Sequence, residues 1–313
     1  MALEEKNVVV LVGGVGGAKL AHGLAQILPP GKLTIIVNTA DDFWHYGLRI
    51  CPDLDTVMYT LGGLVNKANG WGIEGDSFDM LAALKRYGES GWFALGDQDM
   101  ATHLLRTQAL LKGDTLTAVT QKLTTALGIG HTILPMTDAQ VATKLVTVEQ
   151  GELDFQVYFV REHWQPTIRS VRFDGIEGAA VSLEAQRALA SADVILFGPS
   201  NPWLSIAPIL AVPGMRERLL ARELPRVALS PIIGSEAVKG PAAKLIAELN
   251  YDVSAKAVAD YYQGVINGFV YDVLDAGLHI DGVRTTTFDT IMRTDEDRVV
   301  LAGRMLEWAL ETE

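Results

Sequence analysis

The chain has 313 residues, 49% hydrophobic and 20% charged, with a formal net charge of −12 and one cysteine. This acidity, with no basic run, excludes a DNA or RNA backbone as the main partner, because neutralising phosphates needs a basic surface. One cysteine excludes an internal disulfide framework and a thiolate-rich metal site. Cys51, between Ile50 and Pro52, reads as a buried structural thiol. The opening MALEEK has acidic residues where a signal peptide is positive, and no apolar stretch reaches the roughly 18 residues of a membrane span. The expected location is the cytoplasm, with no membrane partner.

In chain order, Val8–Val12 and Leu33–Val37 are short apolar strands with a helix over Gly17–Leu28 between them. This βαβ unit forces a right-handed crossover into a parallel sheet. Asp55–Val65, Phe78–Tyr87, Met100–Leu111 and Leu116–Leu127 carry apolar residues at helical spacing. They make residues 55–130 a helical insertion without a convincing strand, expected to cap the site. Thr132–Met136 and Val141–Val148 return to β character. Phe155–Arg161 alternates as a half-buried strand would, and Ile168–Phe173 follows as another. Next come a helix over Ser182–Ser191, a buried strand Val194–Phe197 running into GPSNPWLSIAPIL, and a strand Arg226–Leu229 running into SPIIG. Helices near Pro241–Leu249 and Lys256–Gln263, a strand Gly268–Val273 and a helix Glu296–Glu311 complete the pattern. Strand followed by functional loop, repeated, predicts a doubly wound, mainly parallel Rossmann-like α/β sheet with an inserted helical region, in a single domain over residues 1–313.

Two phosphate-handling features lie in the first 60 residues. Gly13, Gly14, Gly16 and Gly17 stand between strand and helix, where backbone N–H groups close on a phosphate and the helix N-terminus adds favourable partial charge. This is not a Walker loop, since Ala18-Lys19-Leu20 stands where Gly-Lys-Ser/Thr is needed, and Lys19 also occupies the third glycine position of a dinucleotide fingerprint. Lys19 either neutralises a phosphate or lies solvated on the first turn. A tight turn without ligand is the alternative for the glycines. Asn38, Asp41, Asp42, Asp53 and Asp55 follow the second strand. Clustered carboxylates reach a phosphate only through a shared cation such as Mg²⁺. Asp53 and Asp55 are within reach of one cation if the chain turns there, though Asp55 is also placed to cap a helix starting at Thr56.

Later motifs are more ambiguous. In GDQDMATH, Asp99 is placed as an N-cap and His103 on a helix face, and the structural reading is the stronger one. In GPSNP, two prolines stiffen a loop whose Ser200 and Asn201 either bond a ligand or cap the next segment. With no Gly-x-Ser-x-Gly elbow, Ser200 is no hydrolase nucleophile. Phe43, Trp44, Tyr46, Trp71 and Trp92 lie near the acidic motifs; core packing is their default, stacking on a flat ring the alternative.

In this order GGVGGAKL, VNTADD, GLRICPDLDTVMYTL, WGIEGDSF, LGDQDMATH, ILPMTD, GPSNPWLSI and SPIIG resemble the 2-phospho-L-lactate transferase family of deazaflavin coenzyme F(420) biosynthesis. The pieces run from Gly13 to Gly234, and VADYYQG (Val258–Gly264) extends the likeness. The resemblance implies an α/β fold with a helical insertion and a Mg²⁺-dependent transferase of substituted phosphate groups. Its members combine a GDP-linked three-carbon acid with the deazaflavin Fo; the terminal ribityl hydroxyl attacks the β-phosphorus and GMP leaves. By resemblance Gly13, Gly14, Gly16, Gly17, Lys19, Asn38, Ser200 and Asn201 hold the nucleotide and its diphosphate. Asp53 and Asp55 are the catalytic pair beside Mg²⁺, with Asp55 accepting the hydroxyl's proton. Asp55, Trp92, Asp97, Asp99 and His103 contact Fo. A homodimer is expected from the family and from general frequency.

Two departures stand out. Many relatives carry Thr in the glycine loop, where this chain has Val15 and Gly17, and a paired acid after ILPM, where Thr137-Asp138 is followed by Ala139. Sister proteins of the fold that bind nucleotide sugars resemble a DDGGSSG-type loop, whereas this chain has DDFWHYG, which favours the transferase. A nicotinamide oxidoreductase would want an acid at the position of Asn38. A non-catalytic interaction module leaves the acidic loops unexplained. No motif distinguishes phospholactate, enolpyruvyl phosphate and phosphoglycerate.

Overall fold

In the computed structural model, which describes residues 3–234, 236–237 and 242–311, seven strands among the described residues form one parallel sheet. From one edge to the other they are Thr132–Pro135, Leu33–Val37, Val8–Val12, Val194–Phe197, Arg226–Leu229, Gly268–Asp272 and Arg284–Phe288. The chain enters at the third position, winds to the near edge, then returns to wind outward the other way. Val8 pairs with Leu33 on one side and Val194 on the other. The order therefore reverses between Val8–Val12 and Val194–Phe197, and this topological switch point opens a crevice at the strands' C-terminal ends. The doubly wound parallel sheet inferred from the sequence is the observed architecture.

The inner strands are apolar throughout because both faces are covered. All five residues of Val8–Val12 are buried. Val9 and Leu11 join the core on one face with Ile36, Leu134, Ile195 and Phe269. Val8, Val10 and Val12 face the other, under the helices Gly14–Ile27 and Asp295–Leu310. Those two helices cross at Gly23, where a Cβ would stand 2.1 Å from the Arg298 carbonyl oxygen. Helix Asp295–Leu310 starts with a capping box between Thr294 and Asp297, which fixes its entry into this contact.

The crossover from Leu33–Val37 to Thr132–Pro135 carries helices Pro52–Leu61, Asp79–Arg86, Asp99–Leu111 and Leu116–Ala126. From Pro52 onward its β content is one isolated bridge between Val65 and Ile73. A hairpin precedes these helices, Phe43–His45 against Leu48–Ile50, turning through Tyr46 and Gly47 with φ of 49° and 75°. Positive φ at both turn residues matches the right-handed twist of the hairpin strands.

The expected strand Phe155–Arg161 is absent. Gly151–Asp154 pairs with Ala142–Thr147, which pairs on its other side with Ile168–Asp174, and the chain coils into a helical turn over Val157–Arg161. Phe155 and Phe159, four apart, stack with ring centroids 5.4 Å apart. That contact needs helical spacing and overrides the alternation. Arg284–Phe288, an edge strand, is an element the sequence reading missed. Pro241, the expected start of a late helix, lies outside the described residues; the helix there is Ala242–Glu248. Among the described residues no helix is long and apolar enough to cross a membrane.

Replacing Gly23 by Ala forces a methyl group into a backbone carbonyl on a second helix. Overpacking of this kind costs about 1–3 kcal/mol, so thermal unfolding of the Gly23→Ala protein is expected several degrees below the parent.

Candidate active site

The crevice at the switch point is built on close approach. Gly13 N–H donates to Ser200 Oγ at 2.9 Å, and that hydroxyl donates to the Gly13 carbonyl at 2.7 Å. A Cβ on Gly16 would lie 2.6 Å from the Pro199 carbonyl oxygen, and one on Gly17 2.6 Å from Ser200 Oγ. One on Gly13 would meet Ser205 Cβ at 2.6 Å and Asp53 Oδ2 at 2.7 Å. Gly14, at φ +60°, stands beside the Asp53 carboxylate, whose Oδ1 lies 3.6 Å from where a Cβ on Gly14 would be. The glycines thus let two loops and an aspartate converge on one turn. Beyond it, the first-turn N–H groups of helix Gly14–Ile27 have no partner inside the helix and are the donors an anion would meet.

Of the other expected phosphate ligands, Asn201 caps the segment after it, its Oδ1 accepting from the Trp203 and Leu204 amides at 2.9 and 3.1 Å. Lys19 Nζ donates to the Met292 carbonyl at 2.7 Å, tying its helix to the approach of the last one. Both residues, with Ser200, shape the crevice walls through protein contacts.

At the end of the Leu33–Val37 strand, Asn38 Nδ2 donates to Asp41 Oδ2 at 2.9 Å and to Asp53 Oδ2 at 3.0 Å. Its Oδ1 accepts from the Ala40 amide at 2.9 Å, which fixes the side chain's orientation. One amide thus holds two carboxylates together. Burial pushes the Asp41 carboxyl well above its ordinary range, and the neighbouring Asp53 charge pushes the same way. Burial also raises Asp53 to about 6, against the bond from Asn38 and the nearby Gly14 amide, which favour its ionised form. Asp41 Oδ1 is buried without a hydrogen-bond partner among the described residues. Paired carboxylates, raised proton affinity and an orphaned oxygen match what a hard, oxygen-seeking cation requires.

Asp55 belongs to a different network. Both its oxygens are bound by the guanidinium of Arg106, a side chain buried completely. His103 Nδ1 lies 3.7 Å from Asp55 Oδ2 and its Nε2 3.1 Å from Asp99 Oδ2; Tyr59 donates its hydroxyl to Asp99 Oδ1. Asp53 and Asp55 occupy the first turn of Pro52–Leu61, and residues two apart on a helix point about 200° from each other. The expectation that these two share one cation is therefore corrected: Asp53 joins Asp41, and Asp55 joins Arg106. Nor does Asp55 cap a helix from Thr56, because the helix already begins at Pro52. One ligand atom each of Asp55, Asp99 and His103 lies within 4.8 Å of the others, but the Arg106 charge on both Asp55 oxygens disfavours a cation there. Nearby, Arg49 pairs with Asp42 at 3.4 Å, and burial raises Asp42 to about 7.

Arg49 and Arg106 are functional candidates that sequence reading missed. For Arg106 the signal was available: Asp99, His103 and Arg106 follow helical spacing as a polar stripe. Two more acids prove to be caps. Asp97 accepts from the Ser77 hydroxyl and the Asp79 and Met80 amides, at the start of helix Asp79–Arg86, and the Ser77 bond leads in holding its pKa low. Asp76 accepts from the Gln98 and Asp99 amides at the start of helix Asp99–Leu111. Each acid sits beside one helix start and caps the other, and Gly96 leaves room, since its Cβ would fall 2.0 Å from Asp76 Oδ2. Asp138 likewise accepts from the Thr117 amide. Trp92 packs among the rings of Phe43, His45 and Phe93 at centroid distances of 5.2 to 6.0 Å. Cys51 is buried, as expected.

Comparisons with known proteins place this geometry in context. The family profile described as "2-phospho-L-lactate transferase CofD" matches residues 8–288. A phosphoenolpyruvate transferase of Streptomyces griseus is 41% identical over 97% of this chain and 99% of its own. A 2-phospho-L-lactate transferase of Methanosarcina acetivorans is 40% identical over 94% of this chain and 96% of its own. A crystallised UPF0052-family protein of Bacillus halodurans, 16% identical, superposes with a TM-score of 0.63 over 96% of this chain and 98% of its own, a likeness of fold.

Two measurements test the networks. Arg106→Leu strands the buried Asp55 charge and should cost about 3–5 kcal/mol in chemical denaturation, with most of it recovered when Asp55→Leu is added. Asp53 has a folded-state pKa raised to about 6, so the folded chain binds more protons than the unfolded one and the group weakens stability as pH rises through that value. Relative to the parent, Asp53→Asn should therefore gain melting temperature between pH 5 and 8 in metal-free buffer. A difference that does not change with pH would contradict this.

Proposed function

Since the chain belongs to the 2-phospho-L-lactate transferase family, we propose that it moves a phospho-three-carbon-acid group from its GDP-linked form to the ribityl hydroxyl of the deazaflavin Fo, releasing GMP, in the cytoplasm and as a homodimer. That it is a transferase of coenzyme F(420) biosynthesis follows from family membership; the GDP-linked donor, the deazaflavin acceptor and Mg²⁺ are the proposal. The observation that carries it is the pairing of Asp41 and Asp53 on Asn38 beside a helix N-terminus at the switch point. One corner of the crevice then offers N–H donors for a diphosphate and carboxylates for the cation that accompanies it.

Asp41 and Asp53 would hold Mg²⁺, which when bound offsets the charge of the diphosphate. The glycine turn and the helix N-terminus bind and orient the phosphates, and the Gly13–Ser200 bonds keep the two loops from spreading under them. Asp55, oriented by Arg106, accepts the proton of the attacking hydroxyl; a carboxylate keeps lone pairs beyond the two that a guanidinium takes. As the hydroxyl oxygen bonds the β-phosphorus, the bridging oxygen leaves with its electron pair on GMP. Such a displacement needs mainly positioning and charge stabilisation, which this preorganised corner supports.

The relatives carry phosphoenolpyruvate and 2-phospho-L-lactate names at 41% and 40% identity, so identity does not choose the acid. The deciding assay supplies Mg²⁺, Fo and each GDP-linked acid separately and reads products by mass spectrometry. A phosphodiester-linked deazaflavin plus GMP is expected, and the preferred acid names the donor; no product with any acid overturns the proposal. Asp55→Asn should lower kcat about 10²–10⁴-fold, read at a temperature where circular dichroism shows the variant still folded, because it also leaves the Arg106 charge uncompensated. Mg²⁺ should raise the melting temperature of the parent more at pH 8 than at pH 5.5, and that of Asp41→Asn or Asp53→Asn little at either. Light scattering reads the dimer.

A further inference from the structure

Beside the glycine turn stands a short finger that neither the phosphate cradle nor the acid pair uses. Residues 65–73 close on themselves: Val65 and Ile73 form an antiparallel bridge, and the Asn66 amide donates to the Gly72 carbonyl at 2.9 Å. The Gly70 amide donates to the Asn66 carbonyl at 2.8 Å, while Asn66 Oδ1 accepts from the Ala68 and Asn69 amides, each at 3.0 Å. At its base the Lys67 amide donates to Glu74 Oε2 at 3.1 Å. The tip reads Asn69-Gly70-Trp71-Gly72, and both glycines hold positive φ, +79° and +72°.

This finger touches the nucleotide corner. A Cβ on Gly70 would lie 2.6 Å from Val15 Cγ1, so the fingertip packs directly on the glycine turn at the N-terminus of helix Gly14–Ile27. Trp71 is the next residue. Its side chain is 48% exposed, and among the described residues its ring stacks on no other ring and lies over no cation. The half of this large aromatic surface that is left in water contributes nothing to the fold, since burial is what makes such a ring stabilising. On a preorganised turn, however, it loses little entropy on meeting a flat partner.

We propose that Trp71 is the stacking platform for a fused heteroaromatic ring of a substrate bound at the glycine turn. The reading rests on the crevice being the substrate site, and it assigns the finger a specificity role that the phosphate and acid groups lack. Two rings share this chemistry, the purine base of the nucleotide and the deazaflavin of the acceptor. Gly70 and Gly72 set the height of the platform, because side chains at these φ values would strain the tip and a Cβ on Gly70 would displace it from Val15.

The test compares the full-length parent with Trp71→Ala and Trp71→Phe. Intrinsic fluorescence is titrated with GDP alone and with the deazaflavin alone, and steady-state KM is measured for each substrate. The expected result is quenching by one of the two ligands that disappears in both variants. For that same substrate KM should rise about tenfold in Trp71→Ala, with kcat held within about twofold, and Trp71→Phe should recover most of the affinity, because a smaller ring still stacks. Loss confined to GDP assigns the purine, and loss confined to the deazaflavin assigns the acceptor. Unchanged quenching and unchanged KM for both ligands in Trp71→Ala overturn the proposal. Because quenching is read without turnover, it decides the role of Trp71 even if the transfer reaction itself is not observed.

Discussion

The ligand end of this molecule depends on a turn that has no room for side chains. Gly13, Gly16 and Gly17 are each approached by protein atoms at 2.6 to 2.7 Å from where a Cβ would stand. That is closer than any Cβ tolerates, so the Pro199–Ser200 loop and Asp53 can reach the first strand only because these positions are bare. The phosphate-binding capacity of the turn is then a by-product of packing. Loops drawn this tightly together leave helix N–H groups at the bottom of a narrow crevice, where an anion can satisfy them. The switch point of the sheet supplies the crevice, and the glycines set its width.

Around this turn the acids divide into two groups with opposite electrostatic characters. Asp41 and Asp53 share a neutral amide and have no basic partner among the described residues, so burial leaves their charge uncompensated and raises their proton affinity. Asp55 and Asp42 are compensated by Arg106 and Arg49. The first group is suited to a cation and the second to holding a side chain still. A single helical turn carries both roles, since Asp53 and Asp55 leave the same helix in different directions. Reciprocal capping by Asp76 and Asp97 then locks the insertion helix that carries His103 and Arg106 onto its neighbour.

Much of the fold was legible because the central strands are uniformly apolar and each runs into a polar or glycine-rich loop. A strand buried on both faces has no other composition available to it. Phe155–Arg161 was misread because alternation and helical spacing coexist there, and the stacking of Phe155 on Phe159 decides between them. Arg284–Phe288 went unseen because an edge strand covered on few sides carries little apolar signal; its residues are mostly half-buried. For the site, residue types were legible and directions were not. Aspartate is equally at home as ligand, cap or ion-pair partner; Asp97 proves to be a cap and Asp55 an ion-pair partner, while Asp53 is held beside Asp41 by the Asn38 amide. Arg106 was not singled out, although its spacing from His103 and Asp99 marked one face.

The sequence by itself determined the sheet, the place of the glycine turn, the position of the acids after the second strand and the family to which the chain belongs. These depend on local composition and on motif order, both of which are written along the chain. Only the tertiary structure decided which carboxylates face one another, which are neutralised by buried arginines and which merely cap a helix. Those outcomes depend on partners such as Arg106, 51 positions from Asp55, and Ser200, 187 positions from Gly13. Proximity across such distances is created by packing, and the charge state of a buried acid follows from its neighbours rather than from its own identity.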